Sequence, residues 1–416
     1  MDLVLKNCRL IDSIDDYFIK IEDGKISKIS KTPLNGDNIV DVDYNYVLPG
    51  FIDPHVHFRD PGFNQKEDFK SGGRAAANGG FTTVIDMPNT FPVTDTYKAL
   101  KEKIKLSKKS DVNVFLHIGP NDLFEMEKMM ELNPVSVKIF MDLFSDEKLE
   151  KIFNTLSHLK ENTDYNGLVS VHCEKKSIVE NETHKLKEFS ENKAIDYSYA
   201  RPVEAEDESV IQAIELARAN NLHLHICHLS SSKSLSMVKN ASKSMSISWE
   251  FTPHHLLLDN SSYDIHGTLI KTNPPLRENE KSINIRDIDS NSIIGTDHAP
   301  HTLKDKQKGV WNSSAGIPNL ETAVPLLLSE VNNNNLDFKL IPKIFSENVA
   351  KVYNLKNKGK IQVGYDGDFT VIDLKREGKI DISEFKTKAK YSPFDGVKYK
   401  GQAVMTIVNG KVLMEK

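Results

Sequence analysis

Residues Pro49–Gly62 read P-G-F-I-D-P-H-V-H-F-R-D-P-G. An apolar run, Val47–Ile52, leads into the stretch, and Gly and Pro punctuate both ends, the pattern of a buried strand bounded by turns. Side chains alternate along an extended strand, so His55, His57 and Arg59 are expected on one face. Two neutral imidazoles aimed the same way can share a metal ion, and an arginine beside them can hold an anion against it.

Working outward, short apolar strands alternate with longer helical patterns. The strands are expected over Thr82–Ile85, Val112–Ile118, Ser136–Phe140, Leu168–His172, Leu222–His228, Ser246–Phe251 and Ile293–Thr296. That alternation is the signature of βα units around a parallel sheet. His55, His57, Lys138, His172, His228 and Asp297 fall near the C-terminal ends of several different strands. A barrel builds its site in this way, whereas an open sheet gathers it at one switch point. The expected fold is therefore α/β, a (β/α)8 TIM-like barrel over residues 49–358. The flanks, 1–48 and 359–416, pair turns such as Asp23-Gly24 with alternating strands, and are expected to build one small β-sandwich domain from both chain ends. A chain of 416 residues accommodates one barrel of roughly 250 residues and such an appendage.

A composition of 39% hydrophobic and 27% charged residues leaves enough apolar side chains for a sizeable core. The formal charge of -5 argues against a nucleic-acid surface. The N-terminus lacks the apolar core of a signal peptide, and no run reaches the ~18 apolar residues of a membrane span. Cys8, Cys173 and Cys227 are too few, and odd in number, for a disulfide framework, which points to a cytoplasmic protein with reduced thiols.

The strand-end residues permit hydrolysis. A divalent metal with an open position lowers the pKa of bound water to about 7, and two metals about 3.5–4 Å apart can share the resulting hydroxide. Cations that close require a bridging anion. Lys138 can provide one if its amine, kept neutral by burial, takes up carbon dioxide to form a carbamate. Asp142 is the competing bridge, being already an anion. Cys227 and Glu250 are further metal-type residues, although a buried cysteine is commonly a small hydrophobe. His254 and His255 are expected to support the barrel mouth, His223 and His225 to be ordinary sheet residues, and Lys98–Lys109 to form the exposed face of a helix. Residues 302–315 read either as a lid closing over the site or as a plain solvated loop.

These segments resemble the dihydroorotases, cyclic-amide hydrolases of the amidohydrolase superfamily, over nearly the whole chain. The H-x-H pair marks only the superfamily. F-R-D-P-G, M-P-N-T (Met87–Thr90), H-C-E, P-H-H-L, N-P-P-L-R and D-H-A-P-H together are far more specific. The resemblance implies two Zn2+ ions, the first held by His55, His57 and Asp297 and the second by His172 and His228. In the K-I-F-M context it favours a carboxylated Lys138 over Asp142 as their bridge. It implies that Arg59, Asn89 and His301 grip a substrate carboxylate, that Asn273 contacts the pyrimidine ring, and that Asp297 is the catalytic proton carrier. The implied reaction is reversible hydrolysis of dihydroorotate to N-carbamoyl-L-aspartate in pyrimidine biosynthesis. Association with aspartate transcarbamoylase and a homo-oligomer both stay open. A hydantoinase or allantoinase, or a non-catalytic dihydroorotase-like scaffold, is the alternative.

Overall fold

The computed structural model describes residues 2–416. Strands β1 (Leu3–Arg9), β2 (Asp16–Glu22), β3 (Lys25–Ser30), β4 (Asn38–Asp41) and β5 (Tyr46–Pro49) come from the N-terminal flank. The barrel strands follow: β6 (Phe51–Val56), β7 (Phe81–Asp86), β8 (Asn113–Ile118), β9 (Ser136–Phe140), β10 (Leu168–His172), β11 (His223–Ile226), β12 (Ile247–Phe251) and β13 (Ile293–Ile294). The C-terminal flank adds β14 (Phe369–Lys379), β15 (Lys398–Val408) and β16 (Lys411–Glu415).

Strands β6 to β13 hydrogen-bond in chain order, and every pair is parallel. The ring closes at its mouth, where Val56 bridges to His298 and the His57 N–H donates to the His298 carbonyl at 2.9 Å. Every residue of β6, β7 and β10 is buried, as expected of parallel strands covered on both faces. The covering helices carry their own signals. In Asp146–Asn162, Ser145 caps the first turn, and Leu149, Ile152, Phe153, Leu156 and Leu159 form one apolar stripe toward the strands. In Phe69–Gly79, Asp68 and Ser71 make a capping box, and a Gly/Ala-rich face allows close packing on the barrel.

Both chain ends meet in one mixed sheet, β16-β15-β14-β5-β1-β2-β3, with β4 alongside β1. The join is β14 antiparallel to β5, with Phe369 opposite Pro49 and Ile372 opposite Tyr46. Its inward residues, among them Leu5, Ile19, Ile21, Val47, Phe369 and Ile407, enclose a core separate from that of the barrel. Between β14 and β15 the chain leaves this sheet and runs to the barrel, where Ala389 and Tyr391 pack on Ile317. Among the described residues no helix is long and apolar enough to cross a membrane, and Cys8, Cys173 and Cys227 are free and buried.

Candidate active site

The barrel strands open at one mouth, and the metal-type residues converge there. His57 Nε2 lies 3.0 Å and His55 Nε2 3.4 Å from Asp297 Oδ1. Across the barrel, His172 Nδ1 and His228 Nε2 face each other at 3.0 Å. The His55 and His228 rings are 5.2 Å apart, so the two groups form one buried cluster.

The strand-face expectation for His55, His57 and Arg59 needs correction. Strand β6 ends at Val56, and Arg59 adopts a φ of 61°. His228 and Asp297 also lie in the left-handed region, at 35° and 47°. Such backbone costs of order 1–3 kcal/mol per non-glycine residue and persists where the surroundings impose it. For the same reason β11 and β13 stop at Ile226 and Ile294, short of the expected ends at His228 and Thr296. Sharp turns, rather than continued strands, aim these side chains.

Hydrogen bonds at the far ring nitrogens fix three of the four imidazoles. His55 Nδ1–H donates to Glu250, His57 Nδ1–H to Asn89 Oδ1 at 2.7 Å, and His172 Nε2–H to Glu174 at 2.8 Å. Each bond leaves the other nitrogen's lone pair for the cluster. Glu250 also accepts from His225 Nε2 at 3.2 Å and from the His228 N–H at 3.1 Å. Both its oxygens are engaged, so it orients ligands rather than adding one, and His225 is part of that support rather than an ordinary sheet residue. Space for this carboxylate depends on Gly295, where a Cβ would stand 2.8 Å from Glu250 Oε2.

Burial is the largest influence on His55, His57, His228 and Asp297. It holds His57 at about 4 and pulls His228 well below the imidazole range. At His55 the Glu250 and Asp297 carboxylates outweigh it and lift the pKa to about 10, while His55 and His57 hold Asp297 below the usual carboxylate range. A proton held between carboxylates is what a bound cation replaces. His228 Nδ1, buried with no hydrogen-bond partner, is a further sign of a site built for a ligand.

Lys138 projects from β9 into the buried interior, where its Nζ donates to Cys227 Sγ at 2.8 Å. Asp142 lies nearer the rim, paired with Arg201 at 2.9 Å and 3.9 Å from His172. Arg201 also clamps Glu174, its Nε reaching Oε1 at 2.9 Å.

The opposite side of the mouth is cationic. Arg59 is buried and donates through Nε to the Pro300 carbonyl at 3.3 Å, and no carboxylate pairs with it among the described residues. His301 lies against it, Nε2 to Nη2 at 3.1 Å, with Lys66 beyond at 3.1 Å from Nδ1. Both His301 nitrogens thus already meet protein groups. Burial, then Arg59 and Lys66, push its imidazole down to about 2. Asn273 Oδ1 accepts from the Tyr197 hydroxyl, which places it beside the short helix Asp196–Ala200.

Residues 302–315 expose Leu303, Lys304, Gln307 and Lys308 but are anchored from within. The fully buried Lys306 donates to the carbonyls of Lys271, Ser314 and Gly316, and Lys271 to those of Val310 and Ser313. Two lysines staple the segment from inside.

Residues 46–413 match the amidohydrolase family model. The chain is 46% identical to a dihydroorotase of Methanosphaera stadtmanae, covering 100% of this chain and 96% of that one. It is 42% identical to a dihydroorotase of Methanothermobacter thermautotrophicus, covering 99% and 94%. The chain belongs to the dihydroorotases of the amidohydrolase family. Its fold superposes on the L-hydantoinase of Arthrobacter aurescens with a TM-score of 0.93, at 31% identity, covering 100% and 96% of the two chains.

Several residues support the site in this amidohydrolase without standing out in the sequence. Asp53 accepts from the backbone of His55 and of Thr296, both at 3.0 Å, joining β6 to the turn that carries Asp297. Burial raises its pKa to about 7. Lys103 belongs to the run read as an exposed helix face, yet it is fully buried and pairs with Asp86 at 2.7 Å. Asp86 in turn accepts the Phe58 N–H at 2.7 Å, beside His57 and Arg59. His254 and His255 support the mouth as expected, His255 through the Pro274 carbonyl at 3.0 Å. The one signal that could have exposed Asp53 is an acid inside the apolar run G-F-I-D-P.

Proposed function

We propose that the chain hydrolyses dihydroorotate reversibly to N-carbamoyl-L-aspartate. One observation carries this beyond family membership: an imidazole–carboxylate cluster suited to metals faces a buried arginine that has no carboxylate of its own. In this reading His55, His57 and Asp297 hold one divalent ion and His172 and His228 a second, zinc being favoured by an imidazole-rich donor set. Lys138, carboxylated, spans the two. Its place in the barrel interior supports it over Asp142, which Arg201 already neutralises. When bound, the ions supply hydroxide at neutral pH and polarise the attacked carbonyl.

The chain's own residues do the rest. Arg59 takes the ring carboxylate, assisted by the Asn89 amide, whose oxygen is occupied by His57 but whose nitrogen can donate. Asn273 meets the ring from the other side. The substrate is thereby held with its scissile amide toward the cluster, converting encounter into orientation. Asp297, ionised in the cluster, accepts the proton released as water oxygen bonds to the carbonyl carbon. It delivers that proton to the ring nitrogen as the C–N bond breaks. The reverse sequence closes the ring.

The L-hydantoinase likeness defines the competing reading, a neutral cyclic amide as substrate. Zinc-loaded protein assayed on dihydroorotate, hydantoin and allantoin separates them. Turnover of dihydroorotate is expected, and turnover of only the other two would overturn the proposal. Purified protein that holds no metal and gains no activity with zinc would instead favour a scaffold.

A further inference from the structure

His301 stands between two cations. Lys66 Nζ is 3.1 Å from its Nδ1, while its Nε2 meets the Ala315 carbonyl at 2.9 Å and Arg59 Nη2 at 3.1 Å. A neutral imidazole has one N–H and one lone pair, and a carbonyl can only accept. The N–H must therefore sit on Nε2, pointing at Ala315, and the lone pair on Nδ1, receiving a hydrogen from Lys66. Nε2 then has nothing with which to accept from Arg59. The guanidinium keeps its Nη donors uncommitted, with only Nε spent on Pro300.

We propose that Lys66 is a positioning residue that determines specificity. With the Ala315 carbonyl it holds His301 in the Nε2–H tautomer, leaving the fork of Arg59 free for the ring carboxylate, and it adds a second positive charge beside that subsite. Lys66 is itself held for this role, 3.5 Å from Asp305 on the stapled segment and 5.5 Å from the Phe63 ring. Its side chain is 17% exposed, so a substrate entering the mouth meets its charge. Without Lys66 only the Ala315 carbonyl holds that tautomer, and the fraction of His301 with its lone pair on Nε2 takes up an Arg59 hydrogen that the substrate would otherwise receive. The inference rests on the dihydroorotase reading above.

Steady-state kinetics on Lys66→Met test it, with dihydroorotate as substrate and dihydrouracil, the same ring without the carboxylate, as substrate or competitive inhibitor. The expected result is a KM for dihydroorotate raised about tenfold, the scale of one partly exposed charge, with kcat falling much less. Dihydrouracil should be affected less than about threefold, and Lys66→Arg should restore most of the loss. Nitrogen-15 histidine spectra of the full chain, with His301 assigned by His301→Gln, should show a bare Nδ1 in the wild type and a shift toward the other tautomer in Lys66→Met. Equal losses on both ligands, or an unchanged KM with an unchanged tautomer, would overturn the inference alone. Wild-type protein inactive on dihydroorotate would remove the underlying reading and the inference with it.

Discussion

The two sides of the barrel mouth are built on opposite electrostatic plans. On the imidazole–carboxylate side each charge has a counterpart: His55 lies between Glu250 and Asp297, and Glu174 between His172 and Arg201. On the cationic side, Arg59, Lys66, Lys271 and Lys306 gather with Asp305 at the edge. Burial comes first in lowering the pKa of each of these four, bringing Lys271 to about 8; neighbouring cations add to it at Lys66, Lys271 and Lys306, whereas at Arg59 Asp297 and other acidic groups oppose it. A buried cation without an anion is costly unless a ligand completes it. On the reading proposed above, one side awaits metal cations and the other a carboxylate. A single small ring with an acid group satisfies both.

The comparison can be broken at several points. The largest effect is expected at Asp297. Asp297→Asn keeps the shape but loses the proton carrier, and should lower kcat on dihydroorotate by on the order of 10³-fold or more. Near-normal turnover would remove Asp297 from the chemistry. On the cationic side, Lys306→Met removes three hydrogen bonds from a buried ammonium to main-chain carbonyls and should cost about 3 kcal/mol in denaturant unfolding. A cost near zero would mean that the staple contributes nothing to that side.

Glu250→Gln tests whether the first side is tuned from behind. Replacing a carboxylate that orients a metal-binding histidine should weaken metal affinity by roughly 10–100-fold, measured by competition with a chelator. Unchanged affinity would show that His55 needs no such partner.

The smallest effect concerns Asp68, which caps the helix Phe69–Gly79 and pairs with Lys388 at 2.5 Å, tying the C-terminal excursion to the arginine-bearing loop. Burial opposes its ionisation, but Lys388 and Ser71 outweigh it and hold its carboxyl at about 2. A depressed acid stabilises the fold above its unfolded pKa near 4, and that contribution fades as pH falls from about 4 to about 2. Asp68→Ala should therefore cost about 1 kcal/mol at neutral pH. The gap between the melting temperatures of variant and wild type should shrink below pH 4, and a gap independent of pH would contradict the assignment.

The legibility of the molecule in its sequence follows the same division. His172 could be placed because it ends an apolar strand of ordinary period. The barrel followed from many such strands, and the joining of both chain ends from alternating runs that needed a shared sheet. Where the backbone turns left-handed, at Arg59, His228 and Asp297, strand periodicity no longer says where a side chain points. The supporting roles of the carboxylates Asp53, Glu174 and Glu250 were hidden for another reason, although Glu250 itself stood out as a metal-type residue. Each has a partner distant in sequence, Thr296 for Asp53, Arg201 for Glu174 and His55 for Glu250, and only the folded barrel brings them together. The burial of Lys306 and Lys271 was not legible because composition cannot reveal that carbonyls surround them. The excursion that brings Tyr391 to within 3.1 Å of the Gly316 carbonyl was masked by the strands on either side of it.

The central claim is that the cationic side chooses the ring while the imidazole–carboxylate side cleaves it. It is tested most directly by the ratio of kcat/KM for dihydroorotate to that for dihydrouracil, in zinc-loaded wild type and in Arg59→Met. Removing one partner of a buried charge pair costs about 2–5 kcal/mol, so the ratio should fall by on the order of 10²-fold or more, with dihydrouracil little affected. A ratio unchanged by the substitution would contradict the account.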